Sequence, residues 1–111
     1  MASNSSVAQL YAITTRLTFF VTRLSIDLPF PLTASNEVVL FKKGNDLGKL
    51  AAKMRAKDPA MIASTLVTSI TKKVQVAQAL IDYINNHPNN TLTAAEVIEA
   101  VASAIAEIKK L

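Results

Sequence analysis

Cysteine and tryptophan are both missing from the 111 residues, and glycine occurs only twice. Without cysteine there is no disulfide, no thiolate nucleophile and no sulfur-based zinc site. A reducing cytoplasm fits that lack and is the expected location. Four prolines and two glycines are too few turn formers for a chain of many short strands. Four phenylalanines and two tyrosines are the only aromatics, so the core must rest on Leu, Ile, Val and Ala. That favours helix packing over a β-sandwich. Long apolar runs are lacking too. The most apolar early stretch, 17–28, is broken by Arg23, Ser25 and Asp27 and falls short of the ~20 apolar residues of a membrane span. The opening MASNSSVAQ has no basic segment leading into an apolar one and does not read as a secretory leader. No membrane partner is expected. The sequons at Asn4-Ser5-Ser6 and Asn89-Asn90-Thr91 then read as chance matches.

Half of the residues are hydrophobic, enough to build one core, and the length suits a single domain over 1–111. Leu10, Ile13, Leu17, Phe20, Val21 and Leu24 recur at spacings of three and four, the mark of a buried helical face. With Ser6 to Gln9 as a capping box, the pattern predicts a helix over about 7–27. The β-branched run of Thr14, Thr15, Thr18, Val21 and Thr22 offers a strand as the rival. Leu28-Pro29-Phe30-Pro31 ends the segment, because proline lacks an N–H and forces its predecessor to extend. Residues 32–45 stay open: 37–41 fits a short strand or a helical turn, with Gly44 closing the segment. Asn45 or Asp46 then caps a second helix running to Lys57, with Leu47, Leu50, Ala51 and Met54 apolar.

Asp58-Pro59 is a restart signal, a capping residue followed by proline at the first helical position. From it the longest helix is expected over about 59–86. There Ile62, Leu66, Ile70, Val74, Ala77, Ile81 and Ile84 step by three and four. Residues 85–90 are rich in turn formers and break it. Thr93-Ala94-Ala95-Glu96 is another capping box, and Val97, Val101, Ile105 and Ile108 share one face of the helix it opens. The expectation is an all-α compact bundle of about four helices, one of them long.

Catalytic equipment is hard to find, and no enzyme activity, cofactor, metal or small-molecule substrate is expected. His87 is the only histidine, in an Asn-rich turn with no acidic pair nearby. Asp46, Asp58 and Glu96 are taken up as caps, and Glu96 with Glu99 fits a solvated face better than a catalytic dyad. The stretch 43–49 holds both glycines. It lacks the GxxxxGK(S/T) pattern and the preceding strand of a phosphate loop, and no serine stands in a GxSxG setting.

Charge is more informative. The net charge is +4, and residues 42–73 carry eight basic residues against two acidic ones. Residues 74–108 hold four carboxylates and no lysine or arginine. Lys49, Lys53 and Lys57 follow at i, i+4 and i+8 and should form one stripe. Lys42 and Lys43 precede it, Arg55 falls between Lys53 and Lys57 in sequence, and Lys72 and Lys73 stand on the long helix among Thr68, Ser69, Thr71, Gln75 and Gln78. Like charges along one helix repel, so such a stripe makes sense beneath an anion. Lys42, Lys43, Lys49, Lys53, Arg55, Lys57, Lys72 and Lys73 are therefore the candidate nucleic-acid-binding residues, acting on phosphates by counterion release. A plain solvated surface and a docking face for an acidic protein are the competing readings. Aromatic interleaving and base-reading motifs are lacking, so base-specific recognition is not expected.

A short, cysteine-free, helical chain with a basic middle and no active-site motif resembles, in architecture, the small subunits of class 1 CRISPR effector complexes of the Cascade type. The resemblance implies a bundle inside a ribonucleoprotein serving antiviral defence. In it the eight basic residues would hold a target or displaced DNA strand, or RNA, by its phosphates. The acidic last helix, or the apolar residues near Phe30 and Phe41, would meet neighbouring protein subunits. A structural adaptor that joins proteins is the alternative.

Overall fold

Residues 3–24, 34–87 and 93–111 are described in a computed structural model. They form four helices: α1 (Asn4–Leu24), α2 (Ala34–Ala56), α3 (Ser64–Asn86) and α4 (Ala94–Ile108), with a 3-10 turn at Pro59–Met61 before α3. The fold is an all-α bundle, as the periodicity implies, and no strand occurs among the described residues.

α1 begins earlier than its Ser6–Gln9 box suggested. Ser3 Oγ accepts the Ser6 backbone N–H at 3.2 Å, so Ser3 takes the capping role and Ser6 lies inside the helix. The strand alternative for 14–22 is not formed, and the threonines explain why. Thr14, Thr18 and Thr22 each donate the hydroxyl proton to the carbonyl four residues back, at 2.8, 2.9 and 2.9 Å. Helical back-bonding of this kind lets Thr14 sit fully buried without an unpaired polar atom. The proposed end of α1 at 25–27 and the 28–31 proline segment lie outside the described residues.

α2 corrects the largest sequence expectation. Residues 34–56 form one continuous helix, so 37–41 is no strand, Gly44 closes nothing, and Asn45 and Asp46 are mid-helix residues rather than caps. Both glycines face α1. A Cβ on Gly44 would stand 2.6 Å from Thr22 Oγ1, and one on Gly48 3.5 Å from Thr18 Cγ2. The G-x-x-x-G spacing (44, 48) thus sets two bare backbone positions on one helix face, against a row of back-bonded threonines. Ascending numbers on α2 meet descending numbers on α1, so the pair is antiparallel.

Asp58 caps as expected, its Oδ1 accepting the Ala60 N–H at 3.0 Å. The helix it starts lasts only through Met61. Ile62 and Ala63 are extended before α3 begins, so the single helix expected over 59–86 is a 3-10 turn, a break and a helix. α2 and α3 each have 23 residues, so α3 is not uniquely long. α4 opens with the reciprocal Thr93–Glu96 box.

The core is aliphatic. Leu10, Leu17, Leu47, Met54, Ile70 and Ile81 are among its fully buried side chains, each favouring the folded state by roughly 1.5–3 kcal/mol over exposure. α1 packs on α2 and α3, and α4 packs on α3 and α2. Among the described residues the backbones of α2 and α3 do not approach closely, nor do those of α1 and α4. Around the bundle the order is therefore α1, α2, α4, α3, with α2 and α3 at diagonal corners.

Candidate nucleic-acid interface

Burial fixes how α2 is turned. Leu40, Leu47, Ala51 and Met54 point into the core, and Lys42, Lys49 and Lys53 are exposed on the far side. At ~100° per residue, spacings of seven and four keep these three lysines within an arc of about 40°, over about 16 Å of helix. None makes an ion pair or hydrogen bond within the described residues. Val38, Asn45, Ala52 and Ala56 are exposed around them, and the carboxylate nearest in sequence, Asp46, is half-buried.

The other five expected residues go elsewhere. Lys57 lies eight residues from Lys49, and that spacing rotates it by about 80° toward α4. There its Nζ donates to the Leu111 carbonyl oxygen at 3.2 Å, so the expected 49–53–57 stripe is replaced by 42–49–53. Arg55 turns toward α1, its guanidinium 5.6 Å from the Tyr11 ring centroid, a cation–π contact. Lys43 is half-buried. Lys72 and Lys73 are exposed on α3, at the corner diagonal to α2. The eight basic residues therefore do not converge on one surface.

α3 and α4 carry a separate electrostatic arrangement. Glu107 accepts a hydrogen bond from Lys110 Nζ at 3.1 Å. That bond, one from Ser69, and the nearby charges of Lys110 and Lys73 hold the Glu107 carboxyl below its ordinary value of 4.5 against the opposing effect of burial. Part of the positive charge of α3 is thus engaged by α4.

Opposite the core line of Ile70, Val74 and Ala77, α3 exposes apolar surface that the sequence reading missed. Val76 is 57% exposed and Tyr83 46%, with exposed Ala79 between them in sequence. The signal was available, because these residues fall at three- and four-residue spacing on the pole facing away from the core line. His87, read as a solvated turn residue, is exposed, and its ring stacks on Tyr83 at 4.1 Å between centroids. No group of three or more metal-ligating side chains occurs among the described residues, and none of their helices is long and apolar enough to cross a membrane.

No protein-family model, curated protein or solved structure matches the chain.

Proposed function

We propose that the chain is a non-catalytic, sequence-independent nucleic-acid-binding subunit of a larger protein assembly, holding a phosphate backbone along the outward face of α2. The observation that carries this reading is the row of Lys42, Lys49 and Lys53, exposed together and unpaired within the described residues. Three ammonium groups held on one helix gain little from solvent alone, and each neutralised phosphate releases a counterion. A small-subunit role in a Cascade-like ribonucleoprotein, on DNA or RNA, is the setting this reading takes from the architectural resemblance.

The test is a polarisation titration of labelled single- and double-stranded DNA at several salt concentrations. Three phosphate contacts give a log–log salt slope of about −2.7 on duplex, so a roughly four-fold rise in salt weakens binding about 40-fold. Eight contacts would give a slope of about −7 and a loss above about 10⁴-fold. Each change among Lys42→Gln, Lys49→Gln and Lys53→Gln should reduce the slope by about 0.9. Lys72→Gln, on the diagonal corner, should leave it alone. Absence of binding at about 50 mM salt, or a slope indifferent to the three α2 changes, would defeat the proposal.

Exposed Val76 and Tyr83 favour a second reading, an adaptor that joins proteins through α3. Under it Tyr83→Ser disrupts assembly and the α2 lysine changes do not.

A further inference from the structure

Between α2 and α4 lies a cleft of about 490 Å³. Leu50 and Met54 from α2, with Ile108 and Leu111 from the C-terminal end, make its apolar walls. Met54 and Ile108 belong to the buried core, and Leu50 and Leu111 pack against it half-exposed, so the cleft opens directly onto the core. Three ammonium-bearing residues, Lys53, Lys57 and Lys109, line the same cleft. Lys57 is held by the Leu111 carbonyl. Lys53 and Lys109 are exposed and without a partner within the described residues.

An apolar floor beside unpaired cations is chemically two-sided. A nucleic-acid backbone satisfies only the lysines and leaves the floor against water. A neutral apolar molecule satisfies only the floor. We infer that this cleft binds a single-chain amphiphilic anion, a medium-length acyl chain with a carboxylate head. The tail lies along Leu50, Met54, Ile108 and Leu111, and the head lies between Lys53 and Lys109. The volume falls within the usual range of small-ligand pockets, which combine apolar walls with a few charged groups. From Leu50 to Lys57 the α2 wall runs about 10 Å, enough for such a tail. The ligand is bound and not turned over, since no reactive group adjoins it. This inference does not rest on the nucleic-acid reading, although Lys53 serves both.

Decanoate is the probe, added to the full chain below its micelle-forming concentration and followed by titration calorimetry and by two-dimensional NMR. One saturable site per chain is expected, with shifts at Leu50, Met54 and Ile108. Decanol, which has the tail without the charge, and acetate, which has the charge without the tail, should each bind at least roughly ten-fold more weakly, the scale of one lost charge-assisted hydrogen bond or more. Lys109→Gln should weaken decanoate by about ten-fold while nucleic-acid binding stays unchanged. Lys42→Gln should do the reverse, so failure of one proposal is distinguishable from failure of the other. Lys109 is exposed, so its replacement leaves the fold intact, and the helical circular dichroism signal verifies that. Non-saturable uptake, equal affinity for decanol, shifts confined to other faces, or indifference to Lys109→Gln would each overturn the inference.

Discussion

Two glycines on the same face of α2 should respond to alanine with opposite signs. In a helix interior, Gly→Ala alone stabilises by about 1 kcal/mol through backbone entropy. At Gly48 nothing opposes that gain, because the new Cβ meets Thr18 Cγ2 at an ordinary 3.5 Å. Gly48→Ala should therefore raise stability by about 0.5–1 kcal/mol, or Tm by roughly 3–6 °C for a domain of this size. At Gly44 the Cβ would sit 2.6 Å from Thr22 Oγ1, with the Thr22 backbone N at 3.4 Å behind it. The hydroxyl cannot swing away without losing its bond to the Thr18 carbonyl, so α1 and α2 must separate. Overpacking of this kind costs typically 1–3 kcal/mol, more than the propensity gain. Gly44→Ala should lower Tm by several degrees, while Gly44→Ala with Thr22→Ala should recover part of the loss and give a favourable coupling in a double-mutant cycle. Thermal melts by circular dichroism read all four proteins. A stabilising Gly44→Ala, or no coupling to Thr22, would refute the close α1–α2 approach.

Two further outcomes follow from local geometry. Thr93→Ala removes the oxygen that accepts the Glu96 N–H and should cost about 0.5–2 kcal/mol in a denaturant titration, the range for a lost N-cap. Glu107 is held below its ordinary value of 4.5 by its bond from Lys110 and then by the one from Ser69. Its contribution is therefore present above that value and fades as pH falls through the lower folded-state value. Wild type should melt above Glu107→Gln near neutral pH, and the gap should shrink as pH falls below 4.5 and through the lower folded-state value. A gap that widens on acidification would contradict the arrangement.

Much of the fold was legible in the sequence because the core is aliphatic and its spacing is uniform. Every residue of the Val97, Val101, Ile105 and Ile108 line is buried, and the Thr93 and Asp58 caps act where they were expected. What failed did so for identifiable reasons. Gly44 looks like a helix breaker when local propensity is the only guide, but inter-helix contact recruits it, with Gly48, as a close-packing face, and tertiary packing overrides propensity. The threonines of α1 look strand-forming until their hydroxyls are assigned to carbonyls one turn back. The Lys49–Lys53–Lys57 stripe assumed that i+8 returns to the same face, and the drift of a 3.6-residue helix carries Lys57 onto α4 instead. Lys72 and Lys73 were grouped with α2 by their nearness in sequence, which carries no information about corners of a bundle.

The segment 57–63, between α2 and α3, deserves to be seen as the part that decides those corners. Helix axes about 9–10 Å apart put diagonal neighbours about 13 Å from each other, and seven residues with a 3-10 turn and two extended positions can cross that gap. A tighter turn would set α3 beside α2 and bring Lys72 next to the lysine row, merging two patches into one. Surface charge in this molecule is thus controlled from a distance, by the length of a connector that bears little of that charge itself.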